Sequence, residues 1–97
     1  MELVAQNESA VAFKDINPQA AVHVLVIPRE HHTDVAALAA ADPAALADVV
    51  ALAQQVALEQ ADGQYRLVFN SGPEAGQSIY HAHGHIISGQ RLGWSPA

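Results

Sequence analysis

Cysteine is absent from these 97 residues, so disulfides and thiolate metal sites are excluded. Cations are nearly as scarce. Lys14, Arg29, Arg66 and Arg91 are the whole basic complement against ten acidic side chains, and they are scattered. Holding a long polyanion relies on a clustered basic surface, so DNA and RNA are poor partners. A single phosphate stays open, because backbone N–H groups and a few histidines can hold one without a basic patch. No apolar run approaches the roughly 18–20 residues of a membrane span. The start, Met1-Glu2-Leu3-Val4-Ala5, lacks the basic-then-apolar order of a secretory signal. The expected location is therefore the cytoplasm, with no membrane partner.

What is present describes one domain, residues 1–97, with about half of its residues apolar. A chain this short buries only roughly 60–65% of the surface it exposes when unfolded, so the extra burial of a homodimer would be useful. Leu3 to Gln6 and Ala10 to Asp15 read as strands around the turn Asn7-Glu8-Ser9. Val22 to Ile27, β-branched and stopped by Pro28, reads as a central strand. Thr33 is the expected cap of a short helix over Asp34 to Leu38. Asp42 and Pro43 open the principal helix, with Leu46, Val49, Val50, Ala53, Val56 and Ala57 as its apolar face and Gly63 at its end. Tyr65 to Phe69 and Ser78 to Ile87 are two more strands, and the tail from Ser88 is irregular. Strands with one principal helix give an α+β class with a mainly antiparallel sheet.

The chemistry concentrates in Tyr80-His81-Ala82-His83-Gly84-His85-Ile86-Ile87. On a strand, alternate side chains share a face, so His81, His83 and His85 project together while Ala82, Gly84 and Ile86 point away. Three readings compete: satisfied or solvated histidines, a metal site completed by His23, His31 or His32, and a nucleophilic histidine flanked by proton carriers. Three imidazoles in strict alternation are costly to bury without partners, which weighs against the first. The loop upstream helps to separate the others. Asn70, Gly76, Gln77 and Ser78 offer an amide, close backbone approach and a hydroxyl, a suitable wall for a phosphoryl group. A hydrolytic zinc site would more usually show a carboxylate base, and this stretch has only Glu74. The balance favours phosphoryl or nucleotidyl chemistry. His23 interrupts an apolar strand as a core or relay histidine, Asp15 binds sugar hydroxyls or caps a turn, and His31 and His32 read as solvated loop residues.

The run Gly76 to Ile87 resembles the signature of the histidine-triad superfamily, and Phe13 to Ala20 followed by Val22 to Pro28 resembles that family's first block. The ending, Ser88 to Arg91 through Trp94-Ser95-Pro96, is similar to the Hint branch. The resemblance implies an α+β antiparallel meander, assembled as a homodimer, that hydrolyses purine nucleoside phosphoramidates through a covalent nucleotidyl-histidine. His83 would be the nucleophile, its other ring nitrogen held by the backbone around His81. His85 would contact the phosphate with His23 behind it, and Ser78 and Gln77 would sit near the leaving group and phosphate beside Asn70 and the Gly76 backbone. Asp15 would bind the ribose, Phe13 and Ile16 the base, and Trp94 would approach the partner's site. No metal or other cofactor is required. The alternatives are a dinucleoside polyphosphate hydrolase of the same superfamily and a non-catalytic nucleotide-binding dimer. In the family an N-terminal helix precedes the strand at which Met1 begins here, so this chain is expected to lack that part of the base pocket. Gly84 stands where a larger apolar residue is common, and Ser88 where glycine is common.

Overall fold

The computed structural model describes residues 2–93 of the chain. Five strands, β1 (Leu3–Gln6), β2 (Ala10–Lys14), β3 (Val22–Pro28), β4 (Tyr65–Phe69) and β5 (Gly84–Ser88), form one sheet in the order β1-β2-β3-β5-β4. Every neighbouring pair is antiparallel. The first three strands are a meander. The chain then leaves through helices α1 (Val35–Ala41) and α2 (Pro43–Gln60) and returns so that β5 inserts beside β3, with β4 outside it.

Alternation along β3 divides the molecule. Val24 and Val26 are buried with Ala10, Ala12 and Ile86 under Val49, Leu52, Ala53 and Val56 of α2. The register sets Leu25 opposite both Phe13 and His85, and side chains at opposed positions share a face. Those three therefore occupy the other side of the sheet. One side is the core, and the other is left for a site.

The principal helix starts as expected, with the Asp42 carboxylate accepting the Ala45 N–H at 3.1 Å and Pro43 in its first turn. Its buried stripe is Ala45, Val49, Leu52, Ala53, Val56 and Ala57. Ala45 and Leu52 take the places of Leu46 and Val50, the latter 42% exposed, while the other four positions stay, so the stripe is rotated by less than one residue. Gly63, at φ +86°, donates its N–H to the Ala57 carbonyl and turns the chain toward β4. The short helix is capped by Asp34 rather than Thr33, its carboxylate accepting the Ala37 N–H at 2.9 Å. It runs Val35–Ala41, beyond the expected Leu38.

The last strand begins at Gly84, six residues later than Ser78. Gly84 pairs with Val26 and with Phe69, the last residue of β4, so the run before it has no β4 neighbour, and the two further residues of β3, Ile27 and Pro28, pair only with β2. Gly84 is closely approached: a Cβ there would stand 2.8 Å from Phe69 Cζ and 2.9 Å from Leu67 Cδ1, so those side-chain ends would have to shift. The two β4 side chains occupy the volume of a larger residue. Ser88, buried at the other end of β5, donates its hydroxyl to the Gln64 carbonyl. No helix among the described residues is long and apolar enough to cross a membrane.

Candidate active site

Although His81 and His83 precede β5, the exposure pattern still alternates: His81, His83 and His85 are partly exposed while Ala82, Gly84 and Ile86 are buried. All three histidines line a cavity of about 550 Å3 on the sheet face away from α2. This is the size range of small-molecule sites. Of the other expected residues, Phe13, Asp15, Ile16, Asn70, Gly76 and Ser78 also line it. Trp94 lies outside the described residues.

Hydrogen bonds to the main chain determine where the ring protons sit. The Nδ1 of His83 lies 2.9 Å from the His81 carbonyl oxygen. A carbonyl only accepts, so Nδ1 carries the proton and Nε2 keeps a free lone pair. His23 is the opposite case. Its Nδ1 accepts the Gln19 backbone N–H at 3.0 Å, so its proton is on Nε2, 2.9 Å from His85 Nδ1. His85 must then accept at Nδ1 and hold its own proton on Nε2. A nucleophile-competent ring and a proton-donating ring thus stand side by side, with centroids 5.2 Å apart.

His85 has its pKa lowered from the ordinary 6.5, first by burial and then by the neighbouring His83 and His23, with Asp15 opposing. The ring is kept neutral, which preserves the relay. Asp15 Oδ2 is 3.5 Å from His23 Nε2, and Oδ1 accepts the Asn17 N–H at 2.8 Å in a local turn.

His81 contributes mainly through its carbonyl. Its ring Nε2 faces the Pro28 carbonyl at 3.2 Å and its Nδ1 faces His31 Nδ1 at 3.3 Å. His31 is therefore attached to the triad rather than only solvated, and His32 has a buried Nε2 with no partner among the described residues. Two residues of the anion loop also depart from expectation. Gly76, at φ +95°, donates its N–H to the Pro73 carbonyl at 3.1 Å, so it borders the cavity without offering that proton. Gln77 is turned inward, 4% exposed, and does not line the cavity. Ser78 is exposed on it, and its hydroxyl has no hydrogen-bond partner among the described residues.

Leu25, Ile27 and Ile79 supply an apolar wall that motif reasoning did not single out. The odd-numbered positions of β3 were its signal, since Leu25 and Ile27 alternate with the core residues Val24 and Val26. Ile16 is 99% and Ile79 65% exposed, an apolar rim suited to a flat ring.

Asp15, His23 and His85 are close enough together to be considered as metal ligands. Their present arrangement is that of hydrogen-bonded side chains. The 2.9 Å separation of the two ring nitrogens is a hydrogen-bond length, whereas two nitrogens on one tetrahedral zinc lie about 3.3 Å apart. Binding at His23 Nε2 would also move its proton to Nδ1, against the Gln19 N–H.

Comparison with known proteins agrees with this architecture. An uncharacterised HIT-like protein of Synechocystis is 41% identical over 95 residues, covering 97% of this chain and 83% of that protein. A protein of maize named 14 kDa zinc-binding protein is 38% identical, covering 97% and 76%. The solved structure of a HIT family hydrolase from Clostridium thermocellum is 37% identical with a TM-score of 0.89, covering 99% of this chain and 85% of that one. Residues 1–92 match the HIT domain family, and on that match, the shared fold and these relatives the chain belongs to it.

Proposed function

We propose that this chain is a nucleotide-binding hydrolase that cleaves the phosphorus–nitrogen bond of purine nucleoside phosphoramidates through a covalent nucleotidyl-histidine on His83. One observation carries the reading: the His81 carbonyl 2.9 Å from His83 Nδ1 leaves the opposite ring nitrogen free as a nucleophile. In this reading Nε2 of His83 bonds to the α-phosphorus as the nitrogen leaving group departs. His85, held as a neutral donor by His23, gives its Nε2–H to a phosphoryl oxygen. The Ser78 hydroxyl gives its proton to the departing nitrogen and regains one from solvent, so the nitrogen leaves as a neutral amine. Water then attacks phosphorus, the His83–phosphorus bond breaks, and the nucleoside monophosphate is released.

Asp15 is assigned to the ribose hydroxyls and Phe13 and Ile16 to the base, with Asn70 beside the phosphate, because these line the same cavity as the triad. The name of the Clostridium thermocellum structure, a hydrolase, supports the reaction class. The name of the maize protein raises zinc, which the donor geometry around His23 does not favour. A cytoplasmic homodimer completes the proposal. Its support is that β1 and β4 each end the sheet with an unpaired edge among the described residues, and light scattering on the purified chain tests it.

The decisive test is hydrolysis of an adenosine phosphoramidate by the chain and by His83→Ala, both with EDTA present. Chelator-resistant turnover that falls more than about 10^4-fold in the variant, with nucleotide binding retained, is the expected result. A folded chain with no turnover overturns the hydrolase reading and leaves nucleotide binding alone.

A further inference from the structure

We infer that Gln77 is a positioning residue for this site: it sets Ser78 against His83 by fastening the anion loop to the segment that precedes α1. The inference rests on the reading above for its kinetic consequence and on side-chain geometry for its substance. Gln77 is 4% exposed. Its Oε1 accepts the Gly72 N–H at 2.9 Å, while Nε2 donates to the Thr33 carbonyl at 2.7 Å and the Ile79 carbonyl at 3.1 Å. Both amide protons are used and the oxygen is occupied, so nothing is left to donate to a phosphate.

The positions on either side behave differently, for Gly76 and Ser78 both line the cavity. Gln77 is therefore the inward anchor between two outward residues. Its three bonds tie the start of the loop, the link from Ser78 toward His81, and the Thr33 carbonyl to one side chain. Two further bonds converge on the same short segment. The Ser71 hydroxyl donates to Asp34 Oδ2 at 2.9 Å, and the Ala82 N–H donates to the His32 carbonyl at 2.7 Å. Asp34 in turn caps α1, whose Leu38 is fully buried in the core.

Residues 32–34 thus form a rail to which both the anion loop and the triad run are pinned. Gln77 is the pin adjacent to Ser78. Removing its amide leaves two carbonyls and one N–H without their partner and lets Ser78 move relative to His83. Displacements of about 1 Å in such an arrangement cost on the order of 10^2-fold in rate.

The experiment measures kcat and KM for an adenosine phosphoramidate with the unaltered chain, Gln77→Ala and Gln77→Glu across pH. For Gln77→Ala we expect kcat to fall about 30–100-fold with KM within about threefold. Gln77→Glu keeps the acceptor for Gly72 but loses both donated bonds, and a carboxylate facing two carbonyls takes up a proton readily. Its kcat relative to the unaltered chain at the same pH should therefore recover as pH falls from about 8 to about 5.5, because one donated bond returns. Raised KM with unchanged kcat in both variants would make Gln77 a direct ligand and overturn the inference. So would kcat within about twofold of the unaltered chain in Gln77→Ala. If the unaltered chain shows no turnover, the hydrolase reading fails and the positioning inference is read separately by amide NMR with adenosine monophosphate. Displaced Ser78 and His83 resonances in Gln77→Glu, with α2 unmoved, support it. Unmoved Ser78 and His83 resonances overturn it.

Discussion

Val24 and Leu25 are neighbours in sequence and belong to opposite economies. Val24, with Val26 and Ile86, is sealed beneath α2 in a cluster of apolar side chains. Leu25, with Phe13 and Ile27, faces a cavity in which six further apolar or polar side chains converge with three histidines. On the helix side, packing density decides what a position tolerates. On the open side, hydrogen bonds decide it: His23 is 7% exposed yet stable there, because both of its ring nitrogens have partners. One sheet therefore carries a face specified by volume and a face specified by protons.

Substitutions that respect one face and damage the other would sharpen that contrast. Leu52→Ala, beneath the sheet, should cost about 2–5 kcal/mol in urea denaturation while kinetic constants of the folded fraction stay unchanged. Leu25→Ala, only half-buried on the cavity, should cost less stability than Leu52→Ala and instead raise KM. Equal losses of stability at the two sites would break the comparison.

The acid behaviour of the open face is a second test. His85 has a folded pKa below its unfolded 6.5, so the unfolded state takes up the proton first. Its contribution is fully present above pH 6.5 and is lost as pH falls through the lower folded value. Urea midpoints should begin to decline as pH falls below 6.5, and His85→Asn should decline less steeply. The smallest effect belongs to the helix side: Asp42→Ala, by removing the cap of α2, should cost about 1 kcal/mol with turnover unaffected. Thermal unfolding monitored by circular dichroism would measure it.

Much of this was readable from the residues alone, and the reasons are local. Asp42-Pro43 marks a helix start because a carboxylate caps free N–H groups and proline needs no donor there. β1, β3 and β4 lie where β-branched runs and turn residues placed them, with β3 taking in Pro28 as its last residue. The histidine run announced a shared face because alternation is a property of the extended chain itself. It kept that face even where no ladder forms, as the exposure of His81 and His83 shows.

What tertiary structure decided was which partners each group meets. Val50 and Leu52 are both apolar, and only docking against the sheet selects Leu52 for the core. β5 begins at Gly84, where β4 runs out at Phe69, which depends on a distant segment. Gln77 sits between a glycine and a serine that border the cavity, and sequence distance gives no hint that the Thr33 carbonyl waits 2.7 Å away on the inner side. The tautomers of His23, His83 and His85 belong to the same category. An imidazole carries either proton arrangement in isolation, and the fold selects one by bringing a carbonyl or an N–H to a particular ring nitrogen.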